Sequence, residues 1–168
     1  SSTLLDYETF YSATKGVGER LCKAFVNKYN KPVVTVRPFS VYGPNDDPHH
    51  FIPVAIKAFK ENLELKLAPG DHDWIYIDDL ISGVIKVTEN ANKLKGEWIN
   101  IGTGIEQSNY AIVSILRDIF QKSGKVTRVD KMRSYDNENW VADNSVLKSL
   151  GWKPEINLEE GLKKMVYG

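Results

Sequence analysis

Apolar residues recur at three- and four-residue steps along several stretches of the chain, a spacing typical of helices with one buried face. The longest stretch covers residues 7–29 and carries Phe10, Val17, Leu21 and Phe25 in this spacing. The same pattern predicts further helices, which we expect over residues 51–62, 109–124, 143–151 and 157–168.

Short runs rich in β-branched residues lie between these helices and predict strands. The clearest run covers residues 33–36 and is bounded by Pro32 and Pro38. Residues 63–70 predict a strand by their alternation of apolar and polar residues, residues 96–104 and 126–130 contain further strands, and residues 73–91 read as a strand that continues into a helix. Strands therefore alternate with helices, which predicts an α/β fold.

Turn-forming residues set the expected boundaries. Residues 39–50 are rich in Gly, Pro, Asn and Asp and predict a loop. We expect Asp78 or Asp79 to cap the helix that follows its strand, since a short carboxylate accepts from free amides there. Glycines end helices well, so we expect two helices to end at Gly124 and Gly151.

Composition narrows the classes of partner. The 168 residues include 42% hydrophobic residues, enough for a core, and Lys+Arg and Asp+Glu both number 22. This balance predicts no general attraction to nucleic acid or to an anionic membrane. With a single cysteine, Cys22, and neither a signal-peptide pattern nor a long apolar run, we expect a protein of the reducing cytoplasm.

Tyr11 and Lys15 stand four residues apart in the first predicted helix, which places them on one face. A free tyrosine, with a pKa of about 10, is a poor base at neutral pH. A fixed ammonium beside a tyrosine favours the phenolate, and such a tyrosine can exchange a proton with a sugar hydroxyl or carbonyl. The alternative is an exposed tyrosine and a solvated lysine, and the spacing alone does not decide between them.

Between a strand and a helix, the chain lacks the glycine-rich turn that opens a dinucleotide-binding unit, and the Gly-Thr-Gly of residues 102–104 is too short to count. The chain also begins without methionine, as a fragment would. We therefore expect the 168-residue chain alone to be inactive, to bind NAD weakly, and to expose apolar surface where the remainder would pack.

Five blocks in order carry a resemblance to a known family: YSATKGVGERL, VVTVRPFSVYGPND, DWIYIDDLISGV, GEWINIGTG and WVADNSVLKSLGWKPEINLEEGL. Together they resemble the second half of the extended short-chain dehydrogenase/reductase family, the NAD-dependent nucleotide-sugar epimerases, dehydratases, decarboxylases and ketoreductases. The resemblance implies the second half of a Rossmann-type doubly wound sheet plus a small α/β substrate-binding subdomain. Residues 1–45 would end the Rossmann-type part, and residues 46–168 would mainly form the sugar-nucleotide subdomain.

The resemblance implies a catalytic role for two residues on one helix. Tyr11 would be the acid/base, and Lys15 would position NAD or NADP with it. A Ser or Thr completes the site in the family roughly two dozen residues before the tyrosine, and Ser2, which lies closer, is the candidate here.

The resemblance also implies residues that contact the cofactor and the substrate. Pro38, Phe39 and Ser40 would lie near the nicotinamide and the bound sugar, with Ser40 where many relatives have Asn. Phe51 and Ile52 would contact the nucleotide base.

Two further positions concern the diphosphate. His72 stands where the family often has an Arg, and Arg133 matches an Arg that pairs with the diphosphate, a task suited to the parallel donors of a guanidinium. No metal site is expected, because no second ligand cluster follows the metal-ligand types Asp46, Asp47, His49 and His50.

The resemblance thus implies part of an enzyme that acts on a nucleoside diphosphate sugar through hydride exchange with the cofactor, as a homodimer. Epimerase, 4,6-dehydratase and 4-ketoreductase remain open. The alternative is a non-catalytic sugar-nucleotide-binding or regulatory protein that retains the second half of the fold.

Overall fold

The computed structural model of the chain describes residues 9–130 and 139–168. Its helices are α1 (Phe10–Tyr29), α2 (Phe51–Glu61), α3 (Ile77–Glu89), α4 (Ala91–Leu94), α5 (Asn109–Phe120), α6 (Ser145–Ser149) and α7 (Leu158–Tyr167). Its strands are β1 (Thr35–Pro38), β2 (Ser40–Tyr42), β3 (Glu64–Leu67), β4 (Asp71–His72), β5 (Trp74–Tyr76), β6 (Trp98–Ile101), β7 (Gln107–Ser108), β8 (Lys125–Arg128) and β9 (Asn139–Trp140).

Parallel strand pairs dominate the described part of the chain. β1 pairs with β6, β2 with β5 and β3 with β8, all in parallel. A parallel pair requires a crossover connection, and helices lie between the two strands of every pair. A small sheet places β4 between an antiparallel β7 and a parallel β9. The predicted α/β fold is confirmed.

Two apolar cores lie on these strands within the described residues. The first core joins α2, α5 and α7 to β3, and its most deeply buried members include Tyr42, Ile52, Phe59, Leu67, Ile112, Leu116 and Leu162. The second core joins α3 and α6 to β5 and β6, through Ile75, Val87, Leu94, Ile99, Ile101, Leu147 and Trp152. The helical periodicity of α2, α5 and α7 therefore marked faces that are buried in the fold, whereas the periodic residues of α1 (Phe10, Val17, Leu21 and Phe25) are exposed among the described residues, contrary to expectation.

Two predicted boundaries need correction, and a third is confirmed. The loop over residues 39–50 begins with strand β2, because pairing with β5 satisfies its backbone and buries Tyr42. α5 ends at Phe120, before Gly124, because Gln121 adopts the left-handed conformation that closes the helix. Gly151, in contrast, follows the end of α6 with φ 79°, as predicted.

Asp78 and Asp79 do not cap α3, whose N-cap residue is Tyr76. Both lie in its first turn, where negative charge complements the helix dipole. Asp79 is buried and accepts hydrogen bonds from the backbone N–H groups of Glu155 (3.0 Å) and Ile156 (2.9 Å). Its carboxylate therefore fixes the segment that leads into α7.

α1 exposes much of its apolar surface, whereas α2 and α5 bury theirs. The buried residues of α1 are Gly16 and Val26. Its exposed apolar and aromatic side chains keep between 45% and 93% of their surface in solvent: Phe10, Tyr11, Val17, Leu21, Phe25 and Tyr29. Among the described residues α3 also exposes apolar side chains, at Ile81, Val84 and Ile85. The expected exposure on the face of the sheet where the remainder would pack stays a prediction. None of the helices in residues 9–130 and 139–168 combines the length and apolar character needed to cross a bilayer.

Two glycines inside helices predict opposite effects of the same substitution. A Cβ at Gly161 would collide with the hydroxyl of Tyr42, whereas a Cβ at Gly18 has no neighbouring atom within 4 Å. We expect Gly161→Ala to lower the free energy of unfolding by roughly 1–3 kcal/mol through overpacking. Gly18→Ala should raise it by about 0.5–1 kcal/mol, because alanine favours the helix. Urea denaturation of both variants checks this, and equal effects would contradict the packing of α7 on Tyr42.

Candidate functional site

The first turn of α1 carries the predicted acid/base pair. Thr9 begins the helix with a capping box, in which its side chain and that of Ser12 each accept from the other's backbone N–H. The ammonium of Lys15 lies 5.3 Å from the centroid of the Tyr11 ring, a cation–π distance. The prediction that both side chains share one face is confirmed. Tyr11 keeps 71% of its surface exposed, so a ligand could reach its hydroxyl.

A second polar group forms where two strand pairs meet. The hydroxyl of Ser40 lies 3.3 Å from Nδ1 of His72, although the two residues are far apart in the chain. Strand register explains this contact. Ser40 in β2 is opposite Trp74 in β5, and His72 in β4 lies only two residues before Trp74. The structure thus brings together two residues predicted to contact the substrate.

Aromatic rings surround this polar contact. The His72 and Trp74 ring centroids are 5.0 Å apart, those of Phe51 and Trp74 6.3 Å, and those of Phe39 and Trp140 5.8 Å. We call these five residues the ring cluster. The indole N–H of Trp74 is buried and has no acceptor among the described residues. The ring cluster and the adjacent Ser40 therefore offer flat apolar surface, a hydroxyl, an imidazole and an indole donor.

The remaining candidates are distributed differently. Pro38 is exposed at the end of β1. Ile52 is 1% exposed within the first core, which leaves half-buried Phe51 as the member of that pair able to face a ligand. Ser2 and Arg133 lie outside the described residues.

Asp73, which sequence reasoning missed, holds the strands behind the ring cluster together. Its carboxylate is fully buried and accepts from the Thr103 N–H (2.7 Å) and hydroxyl (2.6 Å), the Gly104 N–H (2.8 Å) and the Ala142 N–H (3.1 Å). An aspartate directly before an apolar strand was the only sequence signal. The Thr103 and Gly104 amides of the 102–104 turn donate to Asp73, so these two amides do not form a phosphate-binding loop.

Tyr42 is excluded as a proton-transfer group. Burial raises the pKa of its phenol well above its usual range, with smaller contributions from Tyr76 and Asp79. Its hydroxyl is buried beside Gly161 and has no partner among the described residues. Tyr42 therefore stays neutral and serves packing, unlike the exposed Tyr11.

The parallel strands, their crossover helices and the tyrosine–lysine face define part of a Rossmann-type α/β protein. The model of the NAD-dependent epimerase/dehydratase family matches residues 1–102. The chain belongs to this family, and the resemblance found in the sequence is confirmed.

Named relatives support the same assignment. The chain is 34% identical over 161 residues to UDP-glucuronate 4-epimerase of Thermodesulfobacterium geofontis. The matched region covers 93% of this chain and 49% of that protein. The chain spans about half the length of most of the curated relatives it matches.

Solved structures extend the likeness to the fold. That of dTDP-glucose 4,6-dehydratase from Bacillus anthracis in complex with NAD aligns with a TM-score of 0.86 and 25% identity, over 98% of this chain and 53% of that one. UDP-glucuronic acid 4-epimerase from Bacillus cereus, in complex with UDP-glucuronic acid and NAD, aligns with a TM-score of 0.84 and 29% identity, over 99% and 56%. The predicted half of a Rossmann-type fold is confirmed.

The buried Asp73 yields a stability prediction. In Asp73→Asn, an amide NH₂ replaces one acceptor oxygen and faces backbone donors, so the free energy of unfolding should fall by about 3 kcal/mol. Asp78→Asn is the matched control, because Asp78 makes an exposed ion pair with Lys164 at 3.4 Å. Urea denaturation compares the two, and similar losses would show that the hydrogen bonds of Asp73 carry no special weight.

Proposed function

We propose that the complete protein of which this chain forms part modifies the sugar of a nucleoside diphosphate sugar, with NAD or NADP as cofactor. The observation that carries the proposal is the exposed Tyr11 with the Lys15 ammonium on its ring, in a chain of this family. Residues up to 45 supply this acid/base face, and the rest of the chain mainly supplies the sugar-nucleotide side.

Tyr11 is the proposed acid/base. Its phenol oxygen exchanges a proton with the sugar hydroxyl that becomes a carbonyl, and a group of this kind needs a fixed charge nearby to act at neutral pH. Lys15 supplies that charge and can also donate to a ribose hydroxyl. A nicotinamide cofactor, when bound, would supply the acceptor and donor for the hydride exchanged with the sugar.

The residues of this chain fit the nicotinamide end of such a cofactor. Lys15 is an exposed donor one turn from the acid/base, and Phe39 follows the end of β1. The Thr103 and Gly104 amides do not fit a diphosphate, since Asp73 already accepts from them. The chain therefore contributes ribose and nicotinamide contacts to the proposed site.

The ring cluster is the proposed nucleotide-sugar side. Aromatic faces suit a nucleotide base, and the Ser40 hydroxyl and His72 imidazole suit phosphate or sugar oxygens. The Trp74 indole N–H, buried without an acceptor in the described part of the chain, supports a polar ligand here. Ser40 reaches less far than the Asn it replaces, so His72 takes a larger share of this contact.

The reaction is proposed at the level of the step that the relatives share. The matched proteins include epimerases and dehydratases. The proposed common step is hydride exchange that forms a keto sugar in these two classes and consumes one in a ketoreductase. We include a homodimer in the proposal, because the exposed apolar side chains of α1 offer a surface for self-association.

Replacing Tyr11 tests the catalytic assignment in the complete protein. Tyr11→Phe removes one hydroxyl and keeps the ring beneath Lys15, so kcat should fall about 10²–10⁴-fold while the Kd of the cofactor stays within about threefold. Steady-state kinetics and calorimetric titration measure the two quantities. Lys15→Ala should weaken both.

Tyr29→Phe is the matched control, since Tyr29 is an exposed tyrosine at the far end of the same helix. It should turn over like the wild type. If Tyr11→Phe retains more than half of the wild-type kcat, Tyr11 is not the acid/base.

A thermal-shift screen tests the substrate class. We expect one of the UDP-, dTDP-, CDP- and GDP-sugars to raise the Tm of the complete protein, because a ligand that binds only the folded state stabilises it. His72→Ala and Ser40→Ala should reduce that shift, whereas Lys163→Ala, on the exposed face of α7, should not. A shift without turnover would favour the non-catalytic binding protein, and no shift with any sugar nucleotide would contradict the proposal.

A further inference from the structure

α1 is attached to the sheet chiefly by polar contacts. Lys23 donates to the carbonyl oxygen of Gly96 at 2.8 Å, and Lys95 donates to the side-chain oxygen of Asn30 at 2.5 Å. Few apolar side chains of α1 are buried among the described residues, so within this part of the chain apolar packing fixes its position weakly. The placement of Tyr11 therefore depends on the polar contacts nearest to it.

The nearest strong contact is made by Glu19, two turns along α1 from Tyr11. Both carboxylate oxygens of Glu19 accept from the Arg37 guanidinium, at 2.6 Å from Nε and 2.5 Å from Nη2. The Glu19 side chain is 17% exposed and that of Arg37 is 40% exposed. A two-bond pair fixes an angle as well as a distance, which a single ion contact does not.

A tryptophan ring fixes the guanidinium from another side. Arg37 lies 5.4 Å and Arg20 of α1 lies 5.2 Å from the centroid of Trp98 in β6. The ring therefore contacts a cation of the helix and a cation of the strand. This restricts Arg37 in a site that is only half-buried.

Arg37 also lies at the entrance to the substrate side. The next residues are Pro38, Phe39 and Ser40. Hydrogen bonds hold their backbone, because the Phe39 N–H donates to the backbone carbonyl of Ile101 (3.0 Å) and the Ser40 N–H to the backbone carbonyl of Asp73 (3.1 Å). From Arg37 to Ser40 the chain is short and extended, which leaves little freedom between them.

We propose that Glu19 and Arg37 are positioning residues, which set the distance and angle between the Tyr11–Lys15 face of α1 and the Ser40–His72 contact. The proposal rests on the proposed function, because the distance matters only if both groups act on one substrate. Neither residue touches the reacting atoms. Their effect is on alignment, and a misplacement of about 1 Å can cost on the order of 100-fold in rate.

The test uses the complete protein and three variants. Glu19→Gln keeps the shape and removes the charge, Arg37→Lys keeps the charge and removes the fork, and the double variant Glu19→Arg with Arg37→Glu restores a pair in reverse. We expect each single variant to lower kcat at least tenfold, with KM for the sugar nucleotide changed less than threefold. The reversed pair should recover part of kcat. Lys163→Gln, which breaks the exposed pair with Glu159, is the control and should change neither.

Two readouts separate positioning from plain stability. Combined with Tyr11→Phe, Glu19→Gln should cause less than a threefold further loss of kcat, because it acts through the placement of Tyr11. Additive losses, or kcat unchanged well below the Tm of the variants, would overturn the proposal.

Amide hydrogen exchange supplies the readout that does not depend on turnover. Glu19→Gln should speed exchange in residues 12–18 of α1 and leave α5 unchanged. If the wild type turns over no sugar nucleotide, the proposed function fails on that result alone. Unchanged exchange in α1 would in addition show that the pair does not hold the helix.

Discussion

The Asp73 carboxylate is the contact on which the arrangement of the site depends. It lies between β4 and β5 and accepts hydrogen bonds from the 102–104 turn and from the segment after β9. Asp73 and these two segments come from three distant parts of the chain. Each backbone donor would be costly to bury without an acceptor. The buried carboxylate therefore joins the strand ends that carry His72 and Trp140 to the 102–104 turn, and the backbone carbonyl of the same residue accepts from the Ser40 N–H.

α1 is held by a different kind of interaction. The strands and the other long helices are fixed by buried apolar side chains, whereas α1 relies on the Glu19–Arg37 pair, the Trp98 ring and contacts near residues 95–97. Polar contacts are directional, so they restrict the orientation of the helix more narrowly than an apolar contact surface of similar size would. Hydrogen bonds, ion pairs and cation–π contacts thus orient the helix that carries the proposed acid/base. Its outer face exposes apolar side chains.

The sequence predicted what local spacing determines. Tyr11 and Lys15 share a face because the helical period requires it, and the alternation of strands and helices follows from side-chain pattern. The Ser40–His72 contact depends on strand register, and strands of two residues such as β4 leave no readable period. The contacts of Asp73 and Asp79 could not be predicted either, because they are made chiefly with backbone amides of segments remote in the chain.

The parallel pairs join strands that are far apart in the chain: Thr35 lies opposite Trp98, and Glu64 opposite Lys125. Loops of about 60 residues must close before either pair stabilises anything, and such non-local topologies fold slowly. Helices can form early from local contacts, but Ser40 and His72 meet only when β2, β4 and β5 are in place. The Ser40–His72 contact therefore depends on the slow, non-local part of folding, whereas the Tyr11–Lys15 face depends only on a local helix.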